Sequence, residues 1–152
     1  MKRLLFFINP NAGHSGIRTQ LLPILETFCG SGCSVRVHTT SGPREITRLI
    51  AAEGENYDLI VTAGGDGTLN ETTAGLMQLE HPPVLGYIPA GTVNDVAASL
   101  HLSMDTLEAA RTVVYGEPMP AAQFAMESRR DLKTLRANKQ ALLDAWEDLG
   151  RP

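Results

Sequence analysis

Apolar residues in this chain fall into two kinds of block. Short unbroken runs, Leu4-Leu5-Phe6-Phe7-Ile8 and Leu59-Ile60-Val61, have the length and β-branched or aliphatic content of strands buried on both faces. Between them, Leu21, Leu22, Ile24, Leu25 and Phe28 recur at the spacing of a helix with one core-facing stripe, and Ile46, Leu49 and Ile50 repeat the pattern. These blocks predict strands over residues 2–8, 33–39, 57–62 and 84–88, and helices over 17–28, 44–53, 69–79 and 103–115. Pro23 lies inside the first helix, where it removes a backbone donor, so the true start is expected nearer Thr19 or Gln20. Pro82-Pro83 ends the third helix, and Ser103 is the expected cap of the fourth. Strand and helix alternate with short connections, which points to an α/β domain with a parallel sheet and right-handed crossovers.

The pattern changes after Gly116. Of 14 glycines, 13 precede residue 120, and from Ala121 the composition favours helix. Leu132, Leu135, Leu142, Trp146 and Leu149, with Lys139 completing the spacing, form a narrow seam that suits docking on one surface or a partner helix. Ser128-x-x-Asp131 is a capping start for it. The expected division is a domain over residues 1–120 and a helical tail over 121–152.

Composition narrows the function classes. The 152 residues suffice for one domain with a sizeable core, and 43% hydrophobic with 20% charged is ordinary for a soluble globular protein. The net charge of −4 is uneven: residues 1–120 hold 7 Lys/Arg against 12 Asp/Glu, and the tail 6 against 5. Nucleic acid is excluded as a partner, because clustered Lys/Arg with aromatic platforms are missing. The run at residues 4–8 is too short for a signal peptide or a membrane span. Cys29 and Cys33 flank a helix-to-strand turn with no further ligand at zinc spacing, so they read as reduced thiols of a cytoplasmic protein. His38, His81 and His101 stand at element ends in surface or capping roles, whereas His14 lies in the first loop within reach of a phosphate. P-loop and nucleophile-elbow patterns are both missing.

Chemistry concentrates in Ala63-Gly64-Gly65-Asp66-Gly67-Thr68-Leu69-Asn70-Glu71, at the carboxyl end of the predicted third strand. Glycines let the backbone approach a ligand, and the first turn of a following helix, beginning near Thr68 and Asn70, supplies N–H donors for an anion. Asp66 would be out of place beside bare phosphate, and makes sense if a divalent cation bridges carboxylate and phosphate. A second loop at a strand end, residues 89–95, carries Thr92, Asn94 and Asp95, which read either as a capped helix start or as the opposite lip of the site. Asn9 and Asn11, by composition, form Asx turns after the first strand.

Four blocks, Ile8-Asn9-Pro10-Asn11-Ala12-Gly13, Gly64 through Glu71, Gly75-Leu76, and Leu85 through Ala97, together resemble the nucleotide-binding domain of bacterial diacylglycerol kinase-like lipid kinases, in that family's order. The resemblance implies a three-layer Rossmann-like sheet of the phosphofructokinase and NAD kinase type, ATP and Mg²⁺ as cofactors, and phosphoryl transfer to a lipid hydroxyl such as that of diacylglycerol. It implies that Gly64, Gly65, Asp66, Gly67 and Thr68 hold the phosphates at a mouth between the third and fourth strands. In that reading Asp66 is the catalytic residue and acts through Mg²⁺. Leu69, Asn70 and Glu71 belong to the same binding segment, with Asn70 and Glu71 bracing the loop. Asn9, Pro10, Asn11, Ala12 and Gly13 become a second wall, Thr92 contacts the nucleotide, and Asn94 and Asp95 complete the lip. Thr40 matches a threonine set against the adenine end, although Thr40 or Ser41 capping the next helix fits the sequence as well.

Where the family continues into a β-rich second domain with a lipid pocket, a carboxylate base and a further metal site, no counterpart is expected here. Activity of the chain by itself is therefore left open. An NAD kinase-like enzyme shares Gly-Gly-Asp-Gly-Thr, but Asn70-Glu71 and residues 89–97 fit the lipid enzymes better. A non-catalytic nucleotide-binding module, with a homo-oligomer formed through the tail helix, is the other reading. Peripheral membrane contact is also open, with no lipid-facing helix or polybasic cluster in evidence.

Overall fold

The two apolar runs become the two central strands of a four-stranded parallel sheet. The computed structural model describes residues 1–11, 16–92 and 94–118; Ala12, Gly13, His14 and the predicted 121–152 tail lie outside the described residues. In chain order the elements are β1 (Lys2–Ile8), α1 (Ile17–Gly30), β2 (Cys33–Thr39), α2 (Glu45–Glu53), a 3-10 turn (Gly54–Asn56), β3 (Leu59–Gly64), α3 (Asp66–Leu76), β4 (Val84–Pro89), α4 (Asp95–Ser99) and α5 (Thr106–Tyr115). The sheet order is β2-β1-β3-β4, with every neighbouring pair parallel.

Being flanked on both sides explains why β1 and β3 are unbroken in hydrophobicity. Successive side chains point to opposite faces, and here both faces are covered. Leu4, Phe6, Ile8, Val61 and Ala63 meet Ile24 and Phe28 of α1 and Ala109 and Ala110 of α5, with the Phe6 and Phe28 rings edge-on at 5.2 Å. Leu5, Phe7 and Ile60 meet Ile46 and Ile50 of α2 and Leu76 of α3 on the other face. The outcome is the three-layer α/β architecture expected. At the edge, β2 is only partly covered, and both cysteines are free thiols, Cys29 exposed and Cys33 buried. Among the described residues, no helix is long and apolar enough to cross a membrane.

Strand order also places the crevice. From β1 the chain moves outward to β2 and then returns past β1 to β3, and right-handed crossovers put α1 on one face and α2 and α3 on the other. That reversal leaves a gap beyond the carboxyl ends of β1 and β3, the position where open parallel sheets bind ligands.

Several predicted boundaries differ from the structure: β3 spans Leu59–Gly64 and not 57–62, α3 ends at Leu76 and not at 79, and three further differences have a local cause. α1 begins at Ile17 and runs straight through Pro23, because Ile17, Ile24 and Phe28 are all buried in one core and their packing outweighs one lost backbone bond. α3 begins at Asp66, not at Leu69, so the glycine segment itself forms its first turn. α5 is capped by Asp105, whose Oδ1 accepts the Glu108 N–H at 2.9 Å; Ser103 Oγ instead accepts from the Asp105 amide at 3.1 Å.

α2 and α3 pack closely because Gly75 has no side chain. A Cβ there would stand 2.8 Å from Ile50 Cβ and 3.1 Å from the Thr47 carbonyl oxygen. Gly75→Ala is therefore expected to destabilise the chain by about 1–2 kcal/mol, the overpacking cost less the gain in helix propensity. Urea unfolding of the two proteins checks this, and a stabilised variant would show that the helices separate freely.

A candidate anion site at the carboxyl ends of the strands

Only Gly65 separates β3 from α3. Its carbonyl accepts the Leu69 N–H at 3.1 Å, so the amides of Gly67 and Thr68, just before it in the first turn, have no acceptor within the helix. The nearest carbonyl that Thr68 could reach back to belongs to Gly64. That oxygen is already occupied by the Ala90 amide at 2.9 Å and the Tyr87 hydroxyl at 3.0 Å. Two backbone donors thus open an 11-residue helix at its positive end.

Gly67 and Thr68 line a cleft of about 350 Å³ together with Asn9, Gly65, Glu71 and Gly91. Asn9 enters from the end of β1, where its amide donates to the Ala63 carbonyl at 3.1 Å and its Oδ1 accepts the Asn11 amide at 3.0 Å, the Asx turn expected. Arg18 at the start of α1 steadies that turn, donating to the Pro10 carbonyl at 3.0 Å. Gly91 enters from the end of β4 and presses its backbone against Gly65: a Cβ on Gly91 would lie 2.4 Å from Gly65 Cα. Asn94 holds Gly91 in place, accepting its N–H at 3.1 Å and donating to its carbonyl at 3.0 Å. The site therefore joins the ends of β1, β3 and β4, wider than the predicted mouth between the third and fourth strands alone.

Glycines in this region are not equivalent. Gly64 is buried under Thr68, whose Oγ1 would be 2.5 Å from a Cβ. Gly67 is exposed, and a Cβ there would meet no atom within 4 Å. Its φ is not among the left-handed ones, so neither packing nor backbone conformation requires glycine at that position.

The two acidic residues of the segment both grip backbone. Asp66, 6% exposed, accepts the Asp95 amide at Oδ2, 3.0 Å away, and the Val96 amide at Oδ1, 3.4 Å away, and so holds the start of α4. Glu71 Oε1 accepts the Arg44 amide, while its carbonyl accepts from Thr47 Oγ1 at 2.7 Å. Beside them Tyr87 is raised above the usual phenol value, first by burial and then by the nearby Asp66 carboxylate. Among the described residues no group of three or more His, Cys, Asp or Glu could enclose a metal. The donor set fits Mg²⁺ only as an ion shared between carboxylate, water and phosphate oxygens.

Of the residues singled out by sequence, the structure brings Asn9, Gly65, Gly67, Thr68 and Glu71 together around the cleft. Asp66, Asn94 and Asp95 stand behind it, tying one loop to another. Leu69 is fully buried against Tyr87 and Val96 as a core residue, and the Asn70 carbonyl accepts from Thr73 Oγ1 at 2.9 Å. Thr40 is tied by its amide to the Ile8 carbonyl at 2.9 Å, at the end of β2, and Thr92 is exposed. Ala12 and Gly13 lie outside the described residues. Two contributors were missed. Gly91 packs on a backbone far away in sequence, which no local pattern reveals. Tyr87 could have been found, since a phenol in a buried strand needs a hydrogen-bond partner.

Residues 3–125 match the family model described as the diacylglycerol kinase catalytic domain. The chain is 38% identical to the diacylglycerol kinase of Bacillus subtilis over 122 residues, covering 79% of this chain and 40% of that protein. It is 35% identical to the diacylglycerol kinase of Staphylococcus saprophyticus over 129 residues, covering 84% of this chain and 42% of that protein. A solved diacylglycerol kinase structure from Bacillus anthracis superposes with a TM-score of 0.71 at 31% identity, covering 78% of this chain and 41% of that one. The chain thus spans about 40% of the length of the curated relatives it matches.

Tyr87→Phe removes the bond to the Gly64 carbonyl and should lower stability by about 1 kcal/mol at neutral pH. The folded chain holds this proton tightly, whereas the unfolded chain releases it near the ordinary value of 10.0, so native stability falls as pH rises past that point. Urea unfolding at about pH 8 and about pH 11 should show the wild-type advantage over Tyr87→Phe shrinking at the higher pH. A constant advantage would refute the buried-phenol account.

Proposed function

The chain belongs to the diacylglycerol kinase catalytic domain family, and from that premise we propose that it is the nucleotide-binding part of an ATP-dependent lipid kinase acting from the cytoplasm. Residues 1–120 are the proposed nucleotide-binding unit, and the 121–152 segment lies outside the described residues. The amides of Gly67 and Thr68 hold phosphate oxygens, with Asn9 and Gly91 as the flanking walls of the cleft. Thr40 and Thr92 reach the parts of the nucleotide beyond it, Pro10 and Asn11 carry the wall onward from Asn9, and Asn70, Asn94 and Asp95 brace the surrounding backbone. Mg²⁺ arriving with ATP would neutralise phosphate charge, and Asp66, although its oxygens accept the Asp95 and Val96 amides behind the cleft, is the carboxylate that the family resemblance would assign to it.

The observation that carries this reading is Gly67. A glycine inside a helix costs up to about 1 kcal/mol relative to alanine, and nothing in the fold asks for one here. Its value lies in letting a ligand come against the backbone at the point where two amides face the cleft. In the transfer itself, the lipid hydroxyl oxygen forms a bond to the γ-phosphorus as the bond from that phosphorus to the β-bridging oxygen breaks. ADP leaves, and the hydroxyl proton passes to a base on the acceptor side. Orientation of the phosphates by fixed main-chain donors is the share of this work that falls to α3.

Gly67→Ala separates ligand from fold. It should leave the melting temperature unchanged or slightly raised while weakening Mg²⁺-ATP binding at least about tenfold, near 1.4 kcal/mol, by calorimetry. Unaltered affinity would reject the cleft as the phosphate site. With the wild-type chain, ADP release that depends on diacylglycerol vesicles supports the kinase reading. Binding without release supports a nucleotide-binding module that needs a further part for transfer.

A further inference from the structure

Glu71 poses an electrostatic puzzle, because a carboxylate lines a cleft whose other features favour an anion. Its surroundings resolve it. Glu71 Oε1 accepts the amide of Arg44, a non-glycine residue at φ 63 and ψ 2, in the left-handed region that L side chains rarely adopt. Arg44 is the N-cap of α2 and makes no side-chain cap; Glu45 of the first turn is occupied by the Ser41 amide, so the carboxylate on the Arg44 amide comes from α3. The pairing is held in register by Thr47 Oγ1 on the Glu71 carbonyl, and by Gly75, which lets α2 and α3 approach.

The turn that Arg44 ends is fastened at its other end as well. Thr40 donates to the Ile8 carbonyl, next to Asn9, and the Ser41 amide donates to Glu45 Oε2 at 2.6 Å. Asn9 and Glu71 both line the cleft, so residues 40–44 run between two of its walls. We infer that Glu71 is a positioning residue which sets nucleotide affinity through Arg44: by holding that amide it keeps the β2–α2 turn left-handed and fixed beside the cleft. This rests on the nucleotide reading above, and it assigns Glu71 no contact with phosphate or cation.

The test uses the full chain and Mg²⁺-ATP. Glu71→Ala should bind roughly 5–30-fold more weakly, the factor by which an unheld L residue disfavours the left-handed region. Glu71→Gln keeps a carbonyl acceptor and should stay within about threefold of wild type. Glycine enters the left-handed region without that cost, so adding Arg44→Gly to Glu71→Ala should recover most of the lost affinity. In the chain without nucleotide, amide exchange at residue 44 should be slow in wild type and Glu71→Gln and fast in Glu71→Ala.

Equal weakening by Gln and Ala, with no recovery from Arg44→Gly, would mean that the charge acts directly, and would overturn the inference. Equal exchange at residue 44 in wild type and Glu71→Ala would overturn it too. A wild type that binds no nucleotide rejects the nucleotide reading together with this inference. A wild type that binds, alongside a Glu71→Ala that binds as well, rejects this inference alone.

Discussion

A carboxylate 6% exposed, answered by backbone amides from another loop, is the constraint on which the arrangement of the strand ends depends. A buried carboxylate accepts only, and leaving it without donors costs more than most single interactions return. Asp66 therefore draws residues 95 and 96 to the first turn of α3 as firmly as α3 is drawn to them. Five residues on, Glu71 does the same for the turn before α2. One helix thus organises the loops that follow β2 and β4, and the cleft lies where these meet the ends of β1 and β3.

Close approach is the second half of that constraint. Gly91 lies against the Gly65 backbone, and Gly64 under Thr68, because a single carbon at either position would overlap atoms already there. These glycines serve the fold, and the cleft follows from them. Gly67 serves no contact in the chain. Three glycines that look alike in the sequence therefore separate, once their neighbours are known, into two that let chain segments touch and one that leaves space.

Much of the architecture was legible from pattern. Unbroken apolar runs identify β1 and β3 as central strands, and helical stripes identify the faces of α1 and α2, since burial on two sides or one leaves different periodicities. Local chemistry was a poorer guide to boundaries. Pro23 argued for a late start to α1, but Ile17 packs with Ile24 and Phe28 on either side of it, a tertiary effect that propensity does not contain. Ser103 looked like a cap, yet Asp105 is better placed to accept from Glu108. Around the cleft, the glycine segment announced an anion site. What it could not announce was that Leu69 faces the core, that Tyr87 holds the Gly64 carbonyl, or that Gly91 reaches Gly65, each a contact across 18 or more positions or a matter of which way a helix turns.

The electrostatics of the cleft decide what kind of anion suits it. Residues 1–120 carry more acid than base, and among the described residues lining the cleft there is one carboxylate and no lysine or arginine. Attraction must then come from main-chain dipoles, which are fixed in direction and do not need to be ordered when a ligand arrives. Such donors discriminate by position and not by total charge. A bare polyphosphate brought beside Asp66 and Glu71 would meet repulsion that two amides only partly offset, whereas the same phosphate carrying a divalent cation arrives with much of its charge already neutralised. In the nucleotide reading proposed above, carboxylates committed to backbone partners, together with donors that carry no net charge, would favour a metal–phosphate complex over the free anion. That preference is built from the same bonds that hold the loops in place.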